Sequence, residues 1–181
     1  MNGAADNNDP IVVRPVRTGD VEALRAMRIE AVRDCPLGFT ADLAETQGRP
    51  IEWWRDLVAR NAGDVEASVI VVADAGGGQL AGMTGCFAPK APKLAHVATI
   101  WGVYVRPLYR GQRLADRLIG ACVDWARAKS LAMVKLSVVA GNESARRCYE
   151  RCGFTTYGVE PVAVRWDGAQ YDELLMSLRL R

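Results

Sequence analysis

Apolar positions recur along this chain in two periods, one of two residues and one near 3.6. After Pro10, IVVRPV is a short β-branched run that predicts a first strand. Behind it Val21, Leu24, Met27 or Arg28, Ala31 and Val32 follow helical spacing. Thr18 is the expected N-cap, with Asp20 in the first turn. This helix should stop before Pro36. Leu37 to Arg49 is turn-rich and shows neither period. Pro50 suits the first turn of a second helix through IEWWRDLVAR. ASVIVVAD is a continuous apolar run of strand length, followed by AGGGQ and then LAGMTGCFA. No helix follows the glycines, so they read as a hairpin turn and not as a phosphate loop. A third strand of this meander is expected from Leu94 to Val105, before Pro107.

The period then changes. From Gly111 to Lys129, Leu114, Leu118, Ala121, Cys122 and Trp125 form one helical stripe. AMVKLSVVA predicts a strand, and Asn142 to Cys152 a short helix ended by Gly153. FTTYGVE and YDELLMSLRL predict two more strands, with Asp167-Gly168 as a hairpin turn between them. The order β-α-α-β-β-β-α-β-α-β-β gives an α/β or α+β domain with a mixed sheet. Residues 1–9 are polar and read as a disordered tail. Residues 10–181 read as a single domain, with no repeat and no internal boundary.

Composition narrows the function classes. The 181 residues carry 23 Lys+Arg against 21 Asp+Glu, so wholesale binding to nucleic acid or to an anionic membrane is not implied. The start, MNGAADNNDP, has neither a basic n-region nor an apolar h-region, so no signal peptide is read. Five cysteines without a C-x-x-C pair read as reduced thiols, hence a cytoplasmic protein. Cys148 and Cys152 stand at i and i+4, but no His or further Cys accompanies them, so they read as packed thiols and no metal site is expected. Trp53-Trp54 reads as core or dimer packing, with a substrate wall as the alternative.

IWGVYVRPLYRGQRLADRLI carries the chemistry. A strand ends, and a helix begins among Arg110, Gly111, Gln112 and Arg113. The first turn of a helix leaves N–H groups unpaired, and with the helix dipole they form an anion site. Arg110 and Arg113 add charge, and Gly111 permits close backbone approach. Neither G-x-x-x-x-G-K-S/T nor G-x-G-x-x-G is present. Spacing alone therefore leaves a pyrophosphate site and a solvated helix start about equally weighted.

Here the sequence resembles the GNAT superfamily of acyl-CoA-dependent N-acetyltransferases. That family has a loop Q/R-x-x-G-x-G/A after a strand ending in Val. It stands here as Arg110-Gly111-Gln112-Arg113-Leu114-Ala115 after Val105, with Arg113 in place of the middle glycine. A second block, N-x-x-A-x-x-x-Y-x-x-x-G-F, stands as Asn142, Ala145, Tyr149, Gly153 and Phe154. The resemblance implies a mixed, mostly antiparallel sheet of about seven strands flanked by about four helices, splayed between its fourth and fifth strands. Gly102 is the expected place for the bulge that opens this splay.

The resemblance also implies roles. The backbone of Val103, Tyr104 and Val105 would hold the pantetheine arm. Residues Arg110, Gly111, Gln112, Arg113, Leu114 and Ala115 would hold the pyrophosphate. Asn142 and Ala145 would line the thioester end, and Tyr149 would be the catalytic acid for the leaving thiolate. The implied reaction is transfer of an acetyl group from acetyl-CoA, a co-substrate, to a primary amine. The acceptor would be a small molecule, an amino acid or a peptide N-terminus, attacking directly in a ternary complex. A non-catalytic acyl-CoA-binding module of the same fold is the alternative. Many relatives place a basic Glu where this chain has Trp101. His96, Glu45 and a water chain remain open as the base. A homodimer is common among relatives.

Overall fold

The computed structural model describes residues 10–63 and 67–180. The expected tail, residues 1–9, lies outside the described residues. Seven strands form one sheet: β1 (Val12–Pro15), β2 (Ser68–Asp74), β3 (Leu80–Phe87), β4 (Val97–Val105), β5 (Met133–Val139), β6 (Thr155–Trp166) and β7 (Ala169–Arg179). Five helices flank it: α1 (Val21–Asp34), α2 (Leu43–Gly48), α3 (Ile51–Ala59), α4 (Leu114–Ala128) and α5 (Glu143–Arg151). The spatial order is β1-β2-β3-β4-β5-β7-β6, and β4–β5 is the parallel pair.

The continuous apolar runs are explained by burial on both faces. In β2, Val69, Val71 and Ala73 join the core beneath α4, while Ile70 and Val72 join the core beneath α1 and α3. A period of two thus feeds two cores. The α4 stripe seals one of them, with Leu114, Leu118, Cys122 and Ala126 buried. Among the described residues no helix is long and apolar enough to cross a membrane.

Several boundaries differ from the sequence reading. Thr18 does not cap α1: Thr18–Asp20 is a separate 3-10 turn, and α1 begins at Val21. The Asp20 carboxylate instead accepts from Arg17 N–H at 2.7 Å and pairs with Arg14 of β1 at 2.6 Å. An additional helix, α2, lies in the stretch that showed no period. It spans six residues, too few to display one, and Asp42 caps it by accepting from Glu45 N–H at 2.9 Å. Strand β4 starts at Val97, so His96 falls in the turn before it. Strand β6 runs past Glu160 to Trp166. Pro161 disguises this, because it sits in a register break where Val162 has φ 55° and donates its N–H to Asp172 at 2.8 Å.

Two irregularities shape the middle of the sheet. Met83 pairs with Tyr104 and Gly85 with Trp101, so Thr84 alone faces Gly102 and Val103. This is the expected bulge, and Gly102 supplies its positive φ of 66°. Beyond it the strands part: β4 and β5 are in register over Val97–Thr99 and Met133–Lys135 only. From Ile100 and Leu136 onward a slot opens inside the sheet.

Candidate active site

The loop between β4 and α4 is built by backbone conformation. Gly111 has φ 80° and Arg113 φ 54°, and Arg113 occupies the N-cap of α4 in the left-handed region. That conformation is the one glycine adopts without strain, which accounts for the glycine in the family pattern. The loop is thus a turn that delivers the chain to α4, and the helix itself starts at Leu114 rather than among Arg110–Arg113. Arg110 folds back, its Nε donating to Val105 O at 3.0 Å.

A cavity of about 460 Å³ lies between this loop and α5. Val103, Tyr104, Val105, Arg110, Gly111, Arg113, Leu114, Ala115, Asn142, Ala145 and Tyr149 all line it; Gln112 does not. Arg147 and Arg151 of α5 line it as well. The sequence reading passed over these two. Their i, i+4 spacing on the helix that carries Tyr149 was the available signal. Four arginines therefore face one carboxylate, Asp116, which Arg151 contacts at 2.8 and 3.0 Å. Arg151 holds the Asp116 carboxyl below the usual carboxylate range.

Asn142 has a structural duty besides lining the cavity. Its side-chain oxygen accepts from Ala145 N–H at 3.1 Å and caps α5. Tyr104 turns its ring into the α1-side core, with its hydroxyl 3.0 Å from both Glu30 Oε1 and Asp34 Oδ2. Burial, then these two carboxylates, raise its pKa. Tyr149 is 7% exposed and packs edge-on to Phe154. Burial raises its pKa, so the phenol keeps its proton.

Tyr149, Asn142, Ala145 and Val103 line a second cavity too, of about 690 Å³, which contains the β4–β5 slot. Its other walls are the turn Cys35–Phe39 and the β6–β7 hairpin, through Trp166, Tyr171 and Glu173. Its charged lining residues are Asp34 and Glu173. Tyr149 thus stands where the two cavities meet.

The candidate bases fare differently. His96 is exposed and lines neither cavity. Glu45 lies on α2, pairs with Arg49 at 2.6 Å and also lines neither. Trp101 lies with its indole across Gly85, where an added Cβ would be 2.2 Å from the ring. Glu173 was not singled out in the sequence. The alternation of β7, Tyr171 then Glu173 on one face, was the clue. Cys148 donates to Asp116 at 3.0 Å, and Asp116, Cys148 and Cys152 place three potential ligand atoms within 4.8 Å of one another. Asp116, a third potential ligand that the Cys148–Cys152 spacing does not reveal, accepts from Arg151 and from this thiol.

Residues 27–154 match the acetyltransferase (GNAT) family. The chain belongs to that family. The matched span contains both sequence blocks, the bulge and the slot. Solved GNAT folds superpose over nearly the whole chain. An acetyltransferase of the family from Streptococcus pneumoniae does so with TM-score 0.84 and 17% identity, covering 95% of this chain and 100% of that one. YncA from Salmonella typhimurium, solved with its cofactor acetyl-CoA, gives 0.78 at 20% identity, covering 96% and 95%. A ribosomal-protein-alanine N-acetyltransferase from Brucella melitensis gives 0.74 at 21%, covering 93% and 99%. No curated protein matches the sequence. The GNAT sheet accounts for the splay at β4–β5, and the described residues form five α-helices where about four were expected.

Proposed function

We propose that this chain transfers an acetyl group from acetyl-CoA to a primary amine of a small molecule, an amino acid or a peptide N-terminus. The carrying observation is the position of Tyr149, buried where the arginine-lined cavity meets the slot beside the Gly102 bulge. In this reading residues 10–181 act as one cytoplasmic acetyltransferase domain. A homodimer belongs to the same reading, and sedimentation tests it.

The loop Arg110–Ala115 and the start of α4 take the pyrophosphate by N–H groups and arginine charge. Backbone groups of Val103, Tyr104 and Val105 take the pantetheine arm. Acetyl-CoA supplies an activated thioester; the amine attacks its carbonyl directly, a C–N bond forms and the C–S bond breaks. The Tyr149 hydroxyl gives its proton to the departing sulfur. Burial raises the Tyr149 phenol, so it stays protonated until the departing sulfur takes the proton. A backbone N–H near Val103 polarises the carbonyl.

The amine must lose a proton before or during attack. Asp34 is a weak base, because Arg33 and then Tyr104 stabilise its carboxylate. Glu173 lines the cleft, and its carboxylate has no hydrogen bond or ion pair among the described residues. We assign the proton to Glu173, through water.

Tyr149→Phe is expected to lower kcat about 10²-fold while leaving the CoA Kd within about twofold. Unchanged turnover would remove Tyr149 as the acid. Arg113 in the loop and Trp101 on β4 favour the second reading, a binding module. It would show as a CoA-induced rise in Tm with no thiol release from acetyl-CoA over a panel of amines.

A further inference from the structure

A third cavity, of about 100 Å³, lies between the sheet and α1–α3. It is too small for a whole ligand, since such sites run to several hundred Å³. It shares Trp101 and Gly102 with the 690 Å³ cleft. The compartment therefore adjoins the cleft at the bulge.

Two of its lining residues carry buried donors without partners. Arg28 Nη1 and Trp54 Nε1 have no hydrogen bond among the described residues. Buried donors are nearly always paired, and an orphaned cation is the most expensive exception. Aromatic rings hold the Arg28 guanidinium: it lies 4.5 Å from the Phe39 centroid and 5.4 Å from that of Trp101. Such contacts use the guanidinium's face and leave its N–H groups unspent. Burial, with Arg49 nearby, lowers the Arg28 pKa to about 10.

The charges around the compartment are one-sided. Arg28 and Arg49 line it, and no carboxylate does among the described residues. Arg49 is turned to Glu45 and lies 4.0 Å over the Trp53 ring, so it does not complete Arg28. The Arg28 Nη1 sits against the bulge, 2.8 Å from the point a Gly102 Cβ would occupy. The other walls include the apolar Leu24, Leu57, Ile70 and Met83, and the Thr46 and Thr84 hydroxyls there already donate to Asp42 O and Trp101 O. They suit a single small anion with carbon attached, not a polyphosphate. A neutral carbonyl would leave the charge unanswered.

We propose that Arg28, with Trp54, binds the carboxylate of the acceptor, so that the substrate is an amino acid-like aminocarboxylate. This rests on the acetyltransferase reading and narrows it. Two charge-assisted or dipolar donors meet one carboxylate at Gly102, and the amine of the same molecule is left at the slot. A peptide N-terminus, which lacks that carboxylate, is a poor acceptor.

The test pairs leucine, methionine and phenylalanine with their primary amides. Thiol release from acetyl-CoA is measured for each, and thermal shifts are measured separately with the N-acetylated acids and N-acetylated amides. The wild-type chain is expected to favour acids over amides at least about tenfold in kcat/KM, the size of one charged contact. The N-acetylated acids alone should raise its Tm. Arg28→Met should erase the preference, bringing the acid and amide kcat/KM values together, and should erase the Tm rise. Its ligand-free Tm should hold or increase, because an unpaired buried charge is gone. Arg28→Lys should restore part of the preference. An acid-to-amide ratio that Arg28→Met leaves intact would overturn the proposal. So would a ligand-free Tm that collapses in both variants, since Arg28 would then belong to the fold. Absence of thiol release from every amine defeats the acetyltransferase reading instead. The thermal shifts, made without acetyl-CoA, still decide the anion site.

Discussion

Arg110, Arg113, Arg147 and Arg151 meet the cavity proposed for the cofactor at its exposed rim. Arg28 lines the small compartment that shares Trp101 and Gly102 with the acceptor cleft, and its buried Nη1 has no hydrogen-bond partner among the described residues. The residue type is the same and the physics is opposed. Exposed arginines keep their hydration, and each contributes a modest, salt-screened attraction. The buried Nη1 of Arg28 has already lost its water, so the first suitable anion regains a large part of that loss. In the proposed function the outer site collects a highly charged ligand from solution, and in the further inference the inner one discriminates among acceptors.

The largest break in this contrast is expected from Gly85→Val. The new side chain collides with the Trp101 ring, which forms a wall of both the cleft and the Arg28 compartment. Overpacking of this kind costs about 3 kcal/mol. The acceptor KM should rise steeply in steady-state assays, while CoA binding by calorimetry stays near wild type. A matching loss of CoA affinity would show that the two sites are not separable. Salt gives the next effect. Raising ionic strength from about 0.1 M to about 1 M cuts the screening length from about 10 Å to about 3 Å. CoA affinity should fall several-fold, and the acid-to-amide ratio should hardly move. The smallest effect is expected at Arg113. Arg113→Gly relieves the left-handed φ and should gain about 1 kcal/mol, read as about 2–4 °C in Tm. Arg113→Ala keeps the strain and loses the charge, so it should weaken CoA binding without the gain. Equal Tm changes in the two variants would show that φ 54° carries no strain.

The same contrast governs what the sequence discloses. The outer site is made by local backbone: Arg110–Ala115 and Asn142–Phe154 each lie on one turn and one helix, so spacing reveals them. Gly102 was legible for the same reason, since a bulge needs a residue that tolerates positive φ. The inner site draws Arg28 from α1, Trp54 from α3 and Trp101 from β4. No local period links them, and Arg28 passes for one more position on the α1 stripe. Glu173 was hidden in the same way, because its neighbours at the cleft come from β4, β5 and α5. The hairpin turn at Asp167-Gly168 was readable, with φ 48° and 75°. The extension of β6 through Pro161 was not, because the break in register is set by Asp172 on the partner strand.

A sheet ordinarily has two margins, and here those are β1 and β6. The short register between β4 and β5 creates two more, facing each other within the sheet. Margins at the periphery invite a strand from any other chain and so favour aggregation. Interior margins are walled by Tyr149 on one side and by the Cys35–Phe39 turn on another. A folded neighbour has no way in, but a thin, extended amide does. The fold thereby keeps a strand-pairing surface permanently in hand without presenting it to other proteins.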